Sequence, residues 1–458
     1  MIDNSRREYD ILVIGGGMAG LLSATRLGQA GRKVLLVEKL SFLGGRFSAF
    51  PYQGSEISSG AFHTIPHGSE GPMAQALRRI GVNAAIEQPP LFASFFFDNK
   101  EVKARLPWDT LNVVSKAADK RMVWRAFFHL WFRSRFQGSI ADWLNHLGAS
   151  PEVRRIYDRF CQFALSTPIE HLSYQEGRAV AEAIIRFGLP GVPVGGARAL
   201  VKQISRAASA AGVETWKAAQ VEQFLYNGTK ICGAQVHRRR SGEHVQVYAP
   251  VVISAIGPQP SVELLMRSGM NAANIKEAGA ISPAVGLKIH VLSPTSLIDH
   301  PAIMFCLDTR RIAGVIQITN TDPALAPPGK HLLISHQVLP PGADWQAEME
   351  LALQDWQYVF GDAFEQCEVL GCSQFPDRYP VNWAAQGYDL RSQPFSEMGL
   401  WLVGDGMKPK GLMMVEGAAA SAERTVNQIL GIANTTPWMP SRAQEIRTWI
   451  KRIRSLRN

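Results

Sequence analysis

Five cysteines in 458 residues, with no C-x-x-C pair among Cys161, Cys232, Cys306, Cys367 and Cys372, leave little for a disulfide framework or a thiolate metal centre. Their odd number and wide spacing fit reduced thiols in a cytosolic protein. Cys367 and Cys372 could bridge only if the fold brought them together. His63 and His67 are four residues apart, but the Ser, Gly and Pro around them argue against a helix, so no metal site is expected. No uncharged apolar run reaches the roughly 18 residues of a membrane-spanning helix. The first residues, MIDNSRREYD, lack the apolar stretch of a secretory signal. There is no tandem repeat, no low-complexity tract, and no Ser-His-Asp or Cys-His nucleophile arrangement. A second complete G-x-G-x-x-G is also missing, which argues against a dedicated nicotinamide domain.

What is present starts at the N-terminal end. Ile11-Leu-Val-Ile14 runs into Gly15-Gly-Gly17-Met18-Ala19-Gly20, a helical stretch follows, and Val34-Leu-Leu-Val37 ends on Glu38. This is a β-α-β unit with a glycine fingerprint at its first turn and an acid closing its second strand. Gly15 makes the tight turn, Gly17 lets backbone approach a pyrophosphate, and Gly20 permits close helix–strand packing. The helix start at Met18 and Ala19 offers unpaired N–H groups and a positive dipole end to phosphates. Glu38, with Lys39 beside it, is placed to accept from ribose hydroxyls. The unit reads as dinucleotide-binding, with NAD and FAD both open at this point.

Gly44-Gly45-Arg46 follows six residues after Glu38. Here the chain resembles the flavoprotein family of amine oxidases, phytoene desaturases and protoporphyrinogen oxidase, in which an acid, a short spacer and G-G-R follow the first β-α-β unit. The resemblance implies FAD, bound non-covalently, with Gly45 and Arg46 near the phosphates and the flavin. Many members have an acid before the next glycine, where this chain has Ser58-Ser59-Gly60. Val251-Val-Ile-Ser-Ala-Ile-Gly257-Pro258 reads as a buried strand, and its order resembles the second FAD segment, with backbone near Val221 meeting the adenine. Gly399-Leu-Trp-Leu-Val403 reads as a third strand, carrying Gly404-Asp405-Gly406 at its end and a helix from Val415 to Leu430 beyond. Asp405 can accept from ribityl hydroxyls, and the helix start at Met414, Val415 and Glu416 can face the ring's C2 carbonyl. No cysteine lies in residues 407–416, so no covalent flavin link is expected there.

The implied architecture is α/β: a Rossmann-like FAD-binding domain of three layers, ββα, interleaved with an α+β substrate domain. Residues 1–70, 195–260 and 390–436 form the first; residues 71–194 and 261–389 form the second, including a basic-aromatic helical region at 116–144. Residues 437–458 read as a basic amphipathic C-terminal helix. A hairpin is expected at Asn227-Gly228, and Asn320–His331 resembles a loop common among the desaturases.

The implied chemistry takes a hydride from an organic substrate to flavin N5. Lys288, in Val285-Gly-Leu-Lys288-Ile-His290, is the one polar candidate near that atom; its bland alternative is a solvated lysine at a strand end. Met407, Leu412, Met413 and Met414 stand where amine oxidases place an aromatic cage, which suggests a soft surface for a carotenoid- or polyene-like lipophile undergoing desaturation or isomerisation. Trp383 is either part of that site or core. The alternative activity is an amine or amino-acid oxidase that releases hydrogen peroxide, and a third reading is a scaffold that binds FAD without turnover.

The formal net charge of +9 is concentrated. Residues 116–135 carry six cations against Asp119, and residues 440–458 carry six against Glu445. Within the first, Trp124, Phe127, Phe128, Trp131 and Phe132 recur at helical spacing, with Arg121, Arg125, His129 and Arg133 at four-residue steps. Ile446, Trp449, Ile450 and Ile453 oppose Arg447, Lys451 and Arg454 in the second. Aromatic and cationic faces on one helix fit an anionic membrane surface; two packed helices with solvated charged faces are the alternative. No nucleic-acid motif accompanies the charge, and the oligomeric state is not read from the sequence. The expected location is cytoplasmic, with peripheral attachment to the cytoplasmic face of the membrane. The expected outcome is co-sedimentation of the intact protein with anionic liposomes at low salt; protein left in the supernatant would contradict it.

Overall fold

The computed structural model describes residues 6–60, 62–105, 107–113, 119–122, 124–126, 136–269, 284–340, 342–374 and 394–433. At its centre lies a five-stranded sheet in the order Glu214–Lys217, Val34–Glu38, Ile11–Ile14, Val251–Ser254, Leu400–Leu402, every pair parallel. Three segments far apart in sequence therefore meet in one sheet. Residue alternation along these strands sorts two cores. Ile11, Val13, Val34, Leu36 and Ile253 point to one side, where helices Met18–Gln29, Gly196–Ala210 and Met414–Ile429 cover them. Leu12, Ile14, Leu35, Val37, Val252, Leu400 and Leu402 point to the other, against Val221, Phe224, Val236 and Val247 of a second, four-stranded sheet. The layers are sheet, sheet and helix, as expected. The hairpin at Asn227-Gly228 is present, with Asn227 opposite Lys230 and Gly228 at φ 62°.

Apart from two small two-stranded sheets, the other strands form a seven-stranded mixed sheet, ordered Glu368–Gln374, Gly286–Ser293, His331–Val338, Gly314–Gln317, Met304–Cys306, Ala93–Phe97, Lys100–Ala104. Only Met304–Cys306 and Ala93–Phe97 run parallel. One face carries Ile289, Val291, Val315 and Leu333 against Trp356 of helix Trp345–Phe360. The other carries Leu292, Phe305, Ile316, Leu332 and Ile334 against Ile57, Phe62 and Phe163. Strand Gly286–Ser293 is buried at all eight positions, so it runs through the middle of the unit.

Helix Pro72–Arg79 buries Met73, Ala76 and Leu77 in the same core as helices Met18–Gln29 and Met414–Ile429. Trp383, residues 127–135 and the C-terminal segment 437–458 lie outside the described residues. Of the 116–135 region, Met122 and Ala126 are buried and Trp124 is exposed. Among the described residues no helix is long and apolar enough to cross a membrane.

Candidate cofactor cleft and active site

The two glycine turns lie against each other. Gly44 N–H donates to Gly16 O at 2.8 Å, and a Cβ on Gly45 would sit 3.2 Å from Gly17 Cα. Gly15 has φ 100°, a conformation that glycine adopts without strain. A Cβ on Gly20 would fall 1.9 Å from Gly15 O, so the helix packs on the turn through bare backbone. Gly17 is different: at φ −72° a Cβ there would meet nothing within 4 Å. The N-terminus of helix Met18–Gln29 has no side-chain cap and no acid in its first turn. An open space therefore lies in front of the N-terminal turn of helix Met18–Gln29, which suits a phosphate.

Glu38 is buried. Its Oε2 accepts Gly16 N–H at 2.6 Å and its Oε1 accepts Leu40 N–H at 2.8 Å, so it braces the glycine turn, with lone pairs left over for hydroxyl donors. Lys39 beside it is exposed. Val221 is buried on the edge strand Ala219–Asn227, next to an irregularity between Val221 and Gln223, and Ala218 N–H donates to Leu40 O at 2.8 Å. Glu38 and Val221 are thus joined through the chain ends around Leu40. Ser48 and Ser59 hydroxyls hold the Gly45 carbonyl at 2.7 and 3.2 Å, doing with neutral donors what the sequence left open at Ser58-Ser59-Gly60.

The third segment carries a buried carboxylate. Asp405 is 6% exposed, and neither of its oxygens has a hydrogen-bond partner among the described residues. Burial raises its pKa to about 7, against the opposing pull of Arg46 and Lys408. Ser421 Oγ accepts Gly404 N–H at 2.8 Å and ties the turn to helix Met414–Ile429. Lys408, itself 1% exposed, donates to Glu176 at 2.7 Å and to Leu412 O at 2.8 Å, while Gly411 N–H donates to the same Glu176 oxygen at 3.1 Å. A Cβ on Gly411 would lie 2.5 Å from Ala179 O, so this loop is clamped onto helix Tyr174–Phe187. Met414 begins the following helix at φ 46°, a strained conformation for a side chain of its size. Glu416, fully buried, accepts N–H groups of His67 at 2.9 Å and Met73 at 2.6 Å, and burial raises its pKa to about 7.

Lys288 is not the solvated strand end considered above. It sits in the middle of a strand buried throughout, is 1% exposed, donates to Gly60 O, and lies 4.5 Å from the centre of the Phe62 ring. Gly60 in turn packs on Arg46, so Lys288 reaches the back of the Gly44-Gly45-Arg46 turn. Burial, then Arg46, pushes its pKa well down. Lys288 and His336 are direct cross-strand partners, and Phe62 stacks on Phe163 at 4.9 Å beside them. His290 shares a 3.0 Å hydrogen bond with Ser58, and His336 one of 3.1 Å with Ser166. Burial lowers His290 and His336 to about 3 and His63 to about 4. His63 Nδ1 accepts Ala197 N–H at 3.1 Å, which leaves its proton on Nε2, facing Glu56 O at 2.9 Å. All three histidines are structural and uncharged.

The expected Met-rich surface is also corrected. Met407 is buried between the two sheets, Leu412 packs with Phe187, and Met413 packs among the helices of residues 140–187. Only Met414 is left partly exposed. Elsewhere, Glu101, Asp299 and His300 bring three potential ligand atoms together, but Glu101 already bonds His300 and Lys103 already bonds Asp299, each at 2.6 Å. That set is an ion-pair network at the surface.

The family model for flavin-containing amine oxidoreductases matches residues 18–430. The chain belongs to this family. It is 30% identical to an uncharacterized protein of Methanocaldococcus jannaschii, over 91% of this chain and 98% of that one. It is 25% identical to phytoene dehydrogenase of Streptomyces griseus, over 93% and 91%. Among solved structures, an oxidoreductase from Methanosarcina mazei aligns with a TM-score of 0.82 at 30% identity, over 91% of this chain and 99% of that one. A putrescine oxidase aligns at 0.71 and 16%, over 93% and 100%, a likeness of fold. The protein is an FAD-dependent oxidoreductase, and its residues fit the cofactor. The open space at Gly17 and the unpartnered Asp405 carboxylate are features that FAD's phosphates and ribityl hydroxyls satisfy.

Motif reading took Ser421 only as a packing position on its helix, not for its bond to Gly404, and did not single out the Glu176–Lys408 pair or the bracing by Ser48 and Ser59. Their partners lie 17, 232 and up to 14 residues away, and no local pattern marks them.

Two predictions follow from the geometry. Gly20→Ala should destabilise the protein by about 3 kcal/mol through forced backbone movement, whereas Gly17→Ala should melt like wild type yet lose FAD affinity. Equal effects on melting would contradict this. Asp405 and Glu416, both near 7 when folded, have ordinary carboxyl values near 4 when unfolded. The folded chain therefore binds more protons between those values, and cofactor-free protein should lose stability as pH rises from about 4 to about 7. Hydroxyl donors from bound FAD stabilise the Asp405 anion, so the loss should be shallower in the loaded protein. Identical slopes in thermal melts of the two forms would contradict this.

Proposed function

We propose that this oxidoreductase is a desaturase or isomerase acting on a lipophilic, carotenoid- or polyene-like substrate. The observation that carries the proposal is the buried, aromatic surrounding of strand Gly286–Ser293, which is covered at all eight positions and flanked by the Phe62–Phe163 stack. Burial and Arg46 disfavour the Lys288 cation, and His63, His290 and His336 are held uncharged nearby. An ammonium-bearing substrate would add one more desolvated cation there; an uncharged polyene would not. The Phe62–Phe163 stack gives these surroundings an apolar, polarisable face. The 25% identity to a phytoene dehydrogenase over nearly the whole chain points the same way.

In this reading FAD, bound non-covalently, supplies two-electron acceptor chemistry. The chain's own residues hold and orient it. N–H groups of Met18 and Ala19, with Gly15, Gly17 and Gly20 making room, face the phosphates. Glu38 accepts from the ribose, with Lys39 at the cleft mouth and Val221 backbone beside the adenine. Gly45 and Arg46 lie near the phosphates and ring. Gly404 and Asp405 take the ribityl hydroxyls, and Met414 and Val415 present N–H groups to the ring's polar edge. Lys288 is the side chain this reading assigns to the reacting region. A peripheral membrane surface remains the proposed source of the substrate.

Anaerobic mixing with lipid extract should bleach the visible flavin band, and a panel of primary amines should neither bleach it nor generate peroxide in air. Peroxide released with an amine would overturn the proposal in favour of an amine oxidase.

A further inference from the structure

Glu416 is a fully buried acid that the reading above does not use. It is the third residue of helix Met414–Ile429, yet both of its oxygens are engaged outside that helix. Oε1 accepts His67 N–H at 2.9 Å and Oε2 accepts Met73 N–H at 2.6 Å. Met73 is in the first turn of helix Pro72–Arg79, whose N-cap Gly71 supplies no side-chain cap and whose first turn holds no acid. A Cβ on Gly71 would lie 2.5 Å from Glu416 Oε1, so the carboxylate is seated directly on that open helix end. One anion thus serves two helix N-termini: its own, through the dipole, and that of Pro72–Arg79, through direct hydrogen bonds.

Two residues before it, Met414 holds φ 46°. A left-handed conformation in a non-glycine residue costs about 1–2 kcal/mol and persists only where the surroundings enforce it. The bonds from Glu416 to residues 67 and 73 anchor the turn just after that strain. Glu416 N–H and Gly417 N–H both reach Met413 O, at 2.9 and 3.4 Å. Met414 and Val415 are therefore the two N–H groups of this turn without an acceptor among the described residues.

We propose that Glu416 is a positioning residue for the flavin: it ties the first turn of Met414–Ile429 to residues 67–73, and its buried negative charge beside that turn makes the flavin harder to reduce. The proposal rests on the reading that Met414 and Val415 face the flavin ring. Replacing the carboxylate by an amide removes the charge and leaves one of the two N–H acceptors, so electron uptake should become easier while one tie remains; removing the side chain should release the turn.

The test uses FAD-loaded wild type, Glu416→Gln, Glu416→Ala and Asp405→Ala. Midpoint potentials are read by dye-coupled reduction at about pH 8.5, above the carboxyl's titration, together with FAD dissociation constants. Glu416→Gln should bind FAD within a few-fold of wild type with a more positive potential. Glu416→Ala should bind it about tenfold more weakly, the equivalent of one hydrogen bond. A wild-type potential in Glu416→Gln overturns the role of Glu416, and if Glu416→Ala does not fold, that measurement decides alone. Where Asp405→Ala loses FAD while Glu416→Gln keeps the wild-type potential, the cleft stands and only the role of Glu416 falls. Wild-type FAD affinity in Asp405→Ala would remove the cleft, and this role with it.

Discussion

Two stretches of bare backbone, Gly15–Gly17 and Gly44–Gly45, have to touch. The 2.8 Å bond from Gly44 to Gly16 and the approach of Gly45 to Gly17 leave no room for side chains on the facing sides. Glu38 can brace Gly16 only because the turn comes this close to the end of its strand. Arg46 is then carried to the junction between the two halves, with Gly60 packed on it and Lys288 bonded to Gly60. A chain of short contacts thus runs from the nucleotide-binding turn to the middle of the seven-stranded sheet. A shift at the first contact would be felt at the last.

Charge around this chain of contacts is arranged by burial. The Asp405 carboxylate has no hydrogen-bond partner among the described residues, with Arg46 and Lys408 in range, while Lys408 is itself paired with Glu176. The cleft therefore carries acceptor capacity at the flavin segment and donor capacity at the two helix starts, a distribution that matches a ligand with phosphates at one place and hydroxyls at another. Across the junction, the wall on strand Gly286–Ser293 resists positive charge.

The cofactor half was legible because its signals are local. Continuous apolar runs in Ile11–Ile14, Val34–Glu38 and Val251–Ser254 read as buried strands, and Gly15 and Gly20 have steric reasons at their own positions. The substrate half was not. Lys288 could be read as a site residue or as a solvated strand end because a single sequence cannot show that Gly286–Ser293 is covered on both faces. Met407, Leu412 and Met413 looked like a binding surface for the same reason, since apolar side chains near a cofactor serve core and ligand alike. The packing of helix Pro72–Arg79 was not legible because its partners, Met18–Gln29 and Met414–Ile429, lie on either side of it at long range. Glu416 was read for its place in its own helix, and its bonds to residues 67 and 73 span more than 340 positions.

The most direct test of a non-covalent FAD cleft assembled from three distant segments is the mass of what leaves the purified protein on acid denaturation. One FAD per chain in the supernatant, with an unshifted polypeptide mass, is the predicted result. A nicotinamide dinucleotide in its place, or flavin retained on the polypeptide, would contradict it.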